Sequence, residues 1–344
     1  MAEDKQAQRQ KLVDYLVGYQ ATWIAHTGRR VGLFAAIAAA GDGIQAADLA
    51  ARLGVSPRYL SVWCRAAYAC ELLDYDPARG YRLAPHMEAL LLDPSDPLYL
   101  GGRLDFYVAI GEDFAVFPDR LADGAIFPRA AHRPELLQAL RDMTRPDFQV
   151  MTAVVLPQAP AVLDRLERGG RVLDLGCGGG YGLLHFARRF PRATVVGVEQ
   201  DASMLALARE AVADSGLGAR VQVQEGDART LECEQPFDLI YLNVVLHETG
   251  GPDDYAATLA ACRRALAPDG ALLVSEMPYP DDVRAYREPV NRLLAGVQHH
   301  EALVGCGEIT LDELRRLLED AGFRDVRRCE QPNPLRVMYL AARV

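Results

Sequence analysis

The stretch VLDLGCGGGYG (residues 172–182) decides the fold. A hydrophobic run carries Asp174 near its end, and Gly176, Gly178 and Gly180 follow before a helical pattern begins. Glycine tolerates positive φ and lets a ligand approach the backbone closely, so this reads as a buried strand ending in a ligand-facing turn. Outward from it, RVLDLGC, ATVVGVEQ, RVQVQEGDA, FDLIYLNVVLH and GALLVSEMP are short β-rich runs. They alternate with helical stretches near 181–190, 201–216 and 252–267, which is βαβ repetition around a parallel sheet. The C-terminal run GFRDVRRCEQPNPLRVMYLAARV supplies one or two more strands, with an antiparallel hairpin across Gln331–Pro334. The expected class is α/β, a Rossmann-like, mostly parallel sheet with an antiparallel C-terminal hairpin.

At 344 residues the chain is long enough for two cores. Its longest apolar stretches fall well short of the ~20 residues a membrane span requires. The N-terminus MAEDKQAQRQKL lacks a signal-peptide apolar region, so the expected location is cytoplasmic. Seven cysteines without a CxxC pair read as reduced thiols rather than a disulfide or zinc framework. The net charge of −10, from 37 basic and 47 acidic residues, argues against nucleic acid or an anionic membrane as principal partner.

Residues 8–40 show apolar positions at three- and four-residue intervals without proline, which predicts a helix. Residues 44–73 read as helix, turn at Gly54-Val55-Ser56, helix, with Ser56 as N-cap and Pro57 at the first helical position. DYDPARGYRLAP (74–85) reads as a small hairpin. Helix-turn-helix plus hairpin outlines a winged helix, a DNA-binding shape. Residues 1–100, however, hold 10 Lys/Arg against 11 Asp/Glu, and the second helix offers only Arg58 and Arg65. A packing or dimerisation role fits better than phosphate contact. The domains are therefore expected at 1–97 (helical and winged-helix-like), 98–160 (a helical connector broken by Pro118, Pro128, Pro134 and Pro146, whose aromatic residues suit a core or an apolar pocket wall) and 161–344 (α/β).

Three features narrow the ligand at the glycine-rich turn. Glu199 closes the next strand 19 residues after Gly180, where a carboxylate can accept both ribose hydroxyls. Asp227-Ala228 ends the third strand, where a short acid can accept from an exocyclic amine. The loop is D-x-G-x-G-x-G, neither the dinucleotide fingerprint nor a P-loop.

In this order and spacing, Asp174 to Gly180, Glu199, Asp227 and the Phe237-Asp238-Leu239 strand resemble the successive motifs of class I S-adenosylmethionine-dependent methyltransferases, over about residues 165–280. The resemblance implies that Asp174 and Gly176 face the methionine moiety, Glu199 the ribose, and Gln200 with Asp227 and Ala228 the adenine; Asn243 lies along the cofactor side. The whole chain resembles the small-molecule O-methyltransferases whose N-terminal winged-helix domain dimerises. That implies a small-molecule acceptor, a homodimer and no membrane. In that group a strand is followed by His-Asp, the histidine being the general base. Here the pair is His247-Glu248, and Glu276 falls where the group has a carboxylate that orients the base. The group's usual Trp-Ser-Asp segment is replaced by Thr249-Gly250-Gly251-Pro252-Asp253-Asp254.

His247 closes the run DLIYLNVVLHET, which reads as a strand leaving the core. A histidine with its ordinary pKa near 6.5 suits proton removal at neutral pH. It could instead be a satisfied strand-end histidine or a metal ligand. Adjacent His299 and His300 are candidates to line the acceptor site, and a helix turns at most one of them inward. Resemblance to 2-oxo-acid C-methyltransferases implies the alternative, in which His247 and His299 or His300 hold a metal. A third reading is a DNA-binding regulator that senses S-adenosylmethionine.

Overall fold

The computed structural model describes residues 4–127 and 134–343. The chain gathers into two compact units, one from the residues up to Glu112 with Gln138–Met143, the other from Asp113–Leu137 with Thr144 onward. The 98–160 stretch is thus shared between the two units.

In the first unit the helix Lys5–Arg30 gives way to a second, Leu33–Ala38. The single helix expected over 8–40 breaks because Gly32 takes φ 75°, a left-handed conformation that ends one helix and starts the next. Helices Ala46–Leu53 and Pro57–Ala69 then flank the expected turn, with Ser56 at the N-cap position, although its hydroxyl makes no capping bond. Strands β1 (Leu73–Asp76) and β2 (Gly80–Leu83) pair antiparallel, and Ile44 bridges Tyr81 beside them. Leu33, Phe34, Ile37, Leu49, Leu60, Trp63 and Leu73 form the core, and the indole N–H of Trp63 donates to the Ile24 carbonyl at 3.0 Å. Asp105 ties the long helix down by accepting from His26 and Arg29.

The second unit is built on β3 (Arg171–Leu175), β4 (Thr194–Glu199), β5 (Val221–Glu225), β6 (Phe237–Asn243), β7 (Leu266–Glu276), β8 (Arg324–Arg328) and β9 (Val337–Ala342). Their order is β5-β4-β3-β6-β7-β9-β8. The first five run parallel, while β9 is antiparallel to both β7 and β8, as the terminal hairpin predicted. One face buries Val172, Tyr241, Leu273 and Leu340 with Phe148, Met151, Phe186 and Phe190. The other buries Leu173, Ile240, Val274 and Val337 with Leu259, Leu314 and Phe323. Burial on both faces explains why these strands read as continuous apolar runs rather than alternating ones. The strand order reverses between β3 and β6, and ligands bind at the carboxyl ends beside such a switch point.

Two local expectations differ from the structure. Pro146 does not break its segment but lies inside the helix Pro134–Val150, which runs directly into a π-helical turn, Met151–Val155. Pro118 and Pro134 sit at helix starts as expected, and Pro128 lies outside the described residues. The run DLIYLNVVLHET does not carry its strand to the histidine. β6 stops at Asn243, Val244 takes φ 60°, and a short 3-10 turn, Leu246–Glu248, follows. A β-branched residue at positive φ is strained, and here it swings His247 out of the strand line.

Candidate active site

The register sets Asp174 on β3 beside Tyr241 on β6, and Asn243 beside Ser275 on β7. These four therefore share one face at the carboxyl rim. Asp174 is buried, and burial pushes its carboxyl up to about 7, with the Tyr241 hydroxyl opposing and the Glu199 charge reinforcing the rise. Its Oδ2, the Tyr241 hydroxyl, Asn243 Oδ1 and Ser275 Oγ are all buried without a well-formed hydrogen bond. A Cβ placed on Gly182 would lie 2.7 Å from Asp174 Oδ2 and 2.8 Å from the Tyr241 hydroxyl, so the two oxygens converge on one point.

The turn after β3 is held by Gly176 and Cys177 N–H, which both donate to the Val198 carbonyl. Gly176 has φ 76°, and a Cβ there would strike Val245 at 2.6 Å, so no other residue fits. Gly178 N–H donates to Glu199 Oε2 at 2.8 Å, and Asp201 N–H to Oε1 at 2.9 Å. The Glu199 carboxylate is thereby fixed against the glycine turn. It keeps spare lone pairs, since an ionised carboxylate offers about four acceptor positions. Gly180 caps the helix Tyr181–Arg189. Gln200 is exposed, and Asp227 and Ala228 are half-buried at the next strand ends. Asp227 is already engaged: Arg229 donates to it through both its backbone N–H and its guanidinium, which holds the carboxyl below its usual range. The same guanidinium reaches Asp254 at 3.0 Å.

Converging buried acceptors at Asp174 and Tyr241 suit an ammonium, and a fixed carboxylate at Glu199 suits a diol. The exposed Gln200–Asp227 edge suits an amino-bearing ring. All three groups belong to S-adenosylmethionine.

His247 and Glu276 meet beside this cradle, both about 98 % buried or more. His247 Nδ1 and Glu276 Oε2 are 2.7 Å apart, and Glu276 Oε1 also accepts the Leu246 N–H at 2.8 Å. Glu276 is thus the carboxylate bonded to the ring. Glu248 belongs to the same 3-10 turn as His247. Burial alone would push the His247 pKa down; the adjacent Glu276 and Glu301 outweigh it and leave it well above the ordinary value.

The two downstream histidines separate as adjacent helical residues must. His300 is buried, with Nε2 3.0 Å from Asp113 Oδ2. His299 is exposed and lies against the Phe117 and Phe114 rings, with centroids 3.7 and 5.2 Å apart. Among the described residues, the grouping that could hold an ion is His247, Glu248 and Cys306, whose ligand-type atoms lie within 4.8 Å of one another; neither His299 nor His300 belongs to it.

Several groups carried no motif. Asp147, fully buried, accepts from Arg336 Nε at 2.8 Å, Asn333 Nδ2 at 3.1 Å and Asn243 Nδ2 at 3.3 Å. This network pins the end of β6 to the C-terminal hairpin. Glu301 lies 3.5 Å from His247 Nε2. It follows the histidine pair in sequence, and only the helix geometry reveals that it faces His247.

Such a sheet, with its glycine turn and strand-end acids, has the class I methyltransferase fold. The chain matches the family described as methyltransferase domain over residues 172–270. It is 36 % identical over 129 residues to a trans-aconitate 2-methyltransferase of Azoarcus sp., covering 38 % of this chain and 45 % of that protein. The chain thus spans about half the length of the trans-aconitate methyltransferases it matches. Against the 3-hydroxy-5-methyl-1-naphthoate 3-O-methyltransferase of Streptomyces sahachiroi it is 27 % identical over 94 % of this chain and 92 % of that one. Among solved structures, human N-acetylserotonin methyltransferase in complex with S-adenosylmethionine shares the fold over the whole chain, with 99 % of its own length covered, a TM-score of 0.73 and 19 % identity. The pyocyanin biosynthetic protein PhzM does so with a TM-score of 0.71 and 22 % identity, over 99 % of this chain and all of that one.

Proposed function

We propose that the protein transfers a methyl group from S-adenosylmethionine to a hydroxyl of a small-molecule acceptor, with His247 as general base. The observation that carries this reading is the buried His247–Glu276 pair at 2.7 Å beside the cofactor cradle. Bound S-adenosylmethionine supplies a methyl already activated on a sulfonium, so the chain has to align the acceptor and remove its proton. Glu276 accepts from Nδ1, which leaves Nε2 as the nitrogen that meets the acceptor, and stabilises the imidazolium that forms. Asp174, Glu199, Gln200, Asp227, Ala228 and Asn243, with Gly176, Gly178 and Gly180, are the proposed cofactor residues. His300 is proposed to wall the acceptor site with Asp113, and His299 to pack against its aromatic side. The same reading favours a hydroxylated aromatic acceptor, the kind named for the naphthoate relative.

The test is label transfer. Protein incubated with methyl-labelled S-adenosylmethionine and 3-hydroxy-5-methyl-1-naphthoate, or a panel of related phenols and 2-oxo acids, should place the label on oxygen. Label on carbon, dependent on a bound transition metal, would replace this reading with the C-methylation alternative.

We also infer a homodimer through the first unit. Leu12, Leu16, Tyr19 and Trp23 on the helix Lys5–Arg30 are 40–65 % exposed. They recur at alternating four- and three-residue steps, the seam by which helices pair. The second helix of the winged-helix outline exposes Tyr59, Val62 and Tyr68 beside Arg58 and Arg65, a surface better suited to protein than to phosphate. In sedimentation, the wild type should run as a dimer and Leu16→Glu with Tyr19→Glu as a monomer. A monomeric wild type at micromolar concentration would contradict the inference. No described helix is long and apolar enough to cross a membrane.

A further inference from the structure

Orientation of the base needs one carboxylate, and Glu276 provides it. Glu301 is then a second, nearly buried carboxylate without an assigned task, contributed by the helix Pro289–Val304. Its Oε2 stands 3.5 Å from His247 Nε2, within ion-pair range but beyond a good hydrogen bond, and Nε2 is buried with no hydrogen-bond partner. Since Nδ1 is committed to Glu276, Nε2 is also the atom an acceptor hydroxyl must reach. Two groups cannot occupy one side of one nitrogen.

Resting on the reading of His247 as base, we propose that Glu301 is a positioning residue of the methyl-transfer site: its carboxylate occupies the Nε2 side of His247, and an acceptor hydroxyl reaches the imidazole only by displacing it. The proton count closes. At rest the imidazole carries a proton on each nitrogen between two carboxylates, for a net charge of −1. The Nε2 proton first leaves to solvent, which gives a neutral imidazole with Nδ1–H on Glu276 and a still ionised Glu301, −2 in total. Glu301, no longer paired with a cation, turns away, and the acceptor O–H donates to the vacated lone pair. When the acceptor proton moves to Nε2 the total returns to −1, and one proton has left per turnover.

The neighbourhood supports this partition. The groups facing the imidazole are Glu276 from β7, Glu301 from its helix, Cys306 just after that helix, and Glu248 beside it in the turn. Cys306 N–H donates to the Glu301 carbonyl and Gly307 N–H to the His247 carbonyl, so the loop beyond the helix clasps both residues. Tyr255 and Tyr279 lie nearby as neutral phenols, Tyr255 pushed up to about 12 by burial and by the surrounding acids. Although burial opposes it, the His247 charge holds the Glu301 carboxyl down near 2, which keeps the resting pair ionic.

The test follows the His247 ring directly, by nitrogen NMR of histidine-labelled protein, in the wild type, Glu301→Gln and Glu301→Asp. The rate arm measures the pH dependence of kcat/KM with 3-hydroxy-5-methyl-1-naphthoate as probe. Wild-type His247 should stay protonated well above pH 6.5. In Glu301→Gln it should titrate at least about one unit lower, since one carboxylate is gone. The acid limb of kcat/KM should move down with it, raising the ratio of activity at pH 6 to that at pH 9 about tenfold, while Glu301→Asp stays near wild type. An unmoved titration in Glu301→Gln, or a wild-type ring neutral at pH 7, overturns the proposal. A titration that moves while the acid limb does not shows instead that His247 is not the base, which removes the underlying reading and the displacement with it.

Discussion

His247→Asn should lower turnover by ~10²–10⁴ while leaving affinity for S-adenosylmethionine within about twofold. The size follows from the proton-transfer role: an aligned acceptor hydroxyl without a base is a poor nucleophile. The selectivity follows from geometry. The cradle is built from β3, β4 and β5 ends, whereas His247 sits in the turn after β6. Asparagine still fills part of the cavity, and its amide can donate to Glu276. The pH dependence carries a sign. Because the neighbouring carboxylates raise the folded-state pKa of His247, the neutral base is scarce at pH 7, so wild-type kcat/KM should climb on the alkaline side. By linkage, the same raised pKa stabilises the fold fully below pH ~6.5 and ceases to do so as the pH rises through the folded value. Titration of kcat/KM and of thermal stability over pH 6 to 9 checks both.

Glu276→Gln should damage both catalysis and stability. Glu276 uses both oxygens at once: Oε2 accepts from the imidazole Nδ1, and Oε1 from the Leu246 N–H at 2.8 Å and the His247 N–H at 3.4 Å. An amide has a single acceptor oxygen, so one donor must face an NH₂ group in a site that water does not reach. The ring then loses either its tautomer or its orientation, and turnover should fall ~10²-fold or more. Removing one partner of a buried pair costs about 3–5 kcal/mol, which in a unit of this size lowers the unfolding midpoint on the order of 10 °C. Glu276→Leu should be worse than Glu276→Gln, because all three donors are orphaned. Scanning calorimetry beside steady-state rates separates the two losses, and a Glu276→Gln enzyme with wild-type stability would show that the pair is looser than 2.7 Å implies.

What could be read from sequence and what could not divide along physical lines. Strand ends were legible. Asp174, Glu199 and Asp227 each fall at or just beyond the end of a β-rich run, and the alternation of strand and helix fixes which edge such residues share. The parallel order and the terminal hairpin followed from the same pattern. The end of β6 was not legible, because VVLH continues the apolar run while Val244 leaves the strand conformation, and nothing in residue type announces a β-branched residue at φ 60°. Ser56 was correctly placed at a helix start, but capping position does not guarantee a capping bond. The adjacency of His299 and His300 correctly implied opposite faces. Which face mattered depended on Asp113, nearly two hundred residues away in sequence, which takes up the inward ring. Glu301 stands one position further round the same helix, and that step of about 100° is what brings it to His247. Asp147 and Arg336 were invisible for a related reason: a buried ion pair between a helix and a hairpin leaves no local spacing to recognise.

The most direct measurement is a single-turnover experiment with protein in excess over methyl-labelled S-adenosylmethionine, run on wild type and His247→Asn at pH 8 with acceptor saturating. Wild type should convert the bound label to an O-methylated product in one exponential phase. His247→Asn should bind the label equally well and convert it at least a hundredfold more slowly. Equal single-turnover rates in the two proteins would contradict the account, since the buried imidazole between Glu276 and Glu301 would then have no part in moving the acceptor's proton.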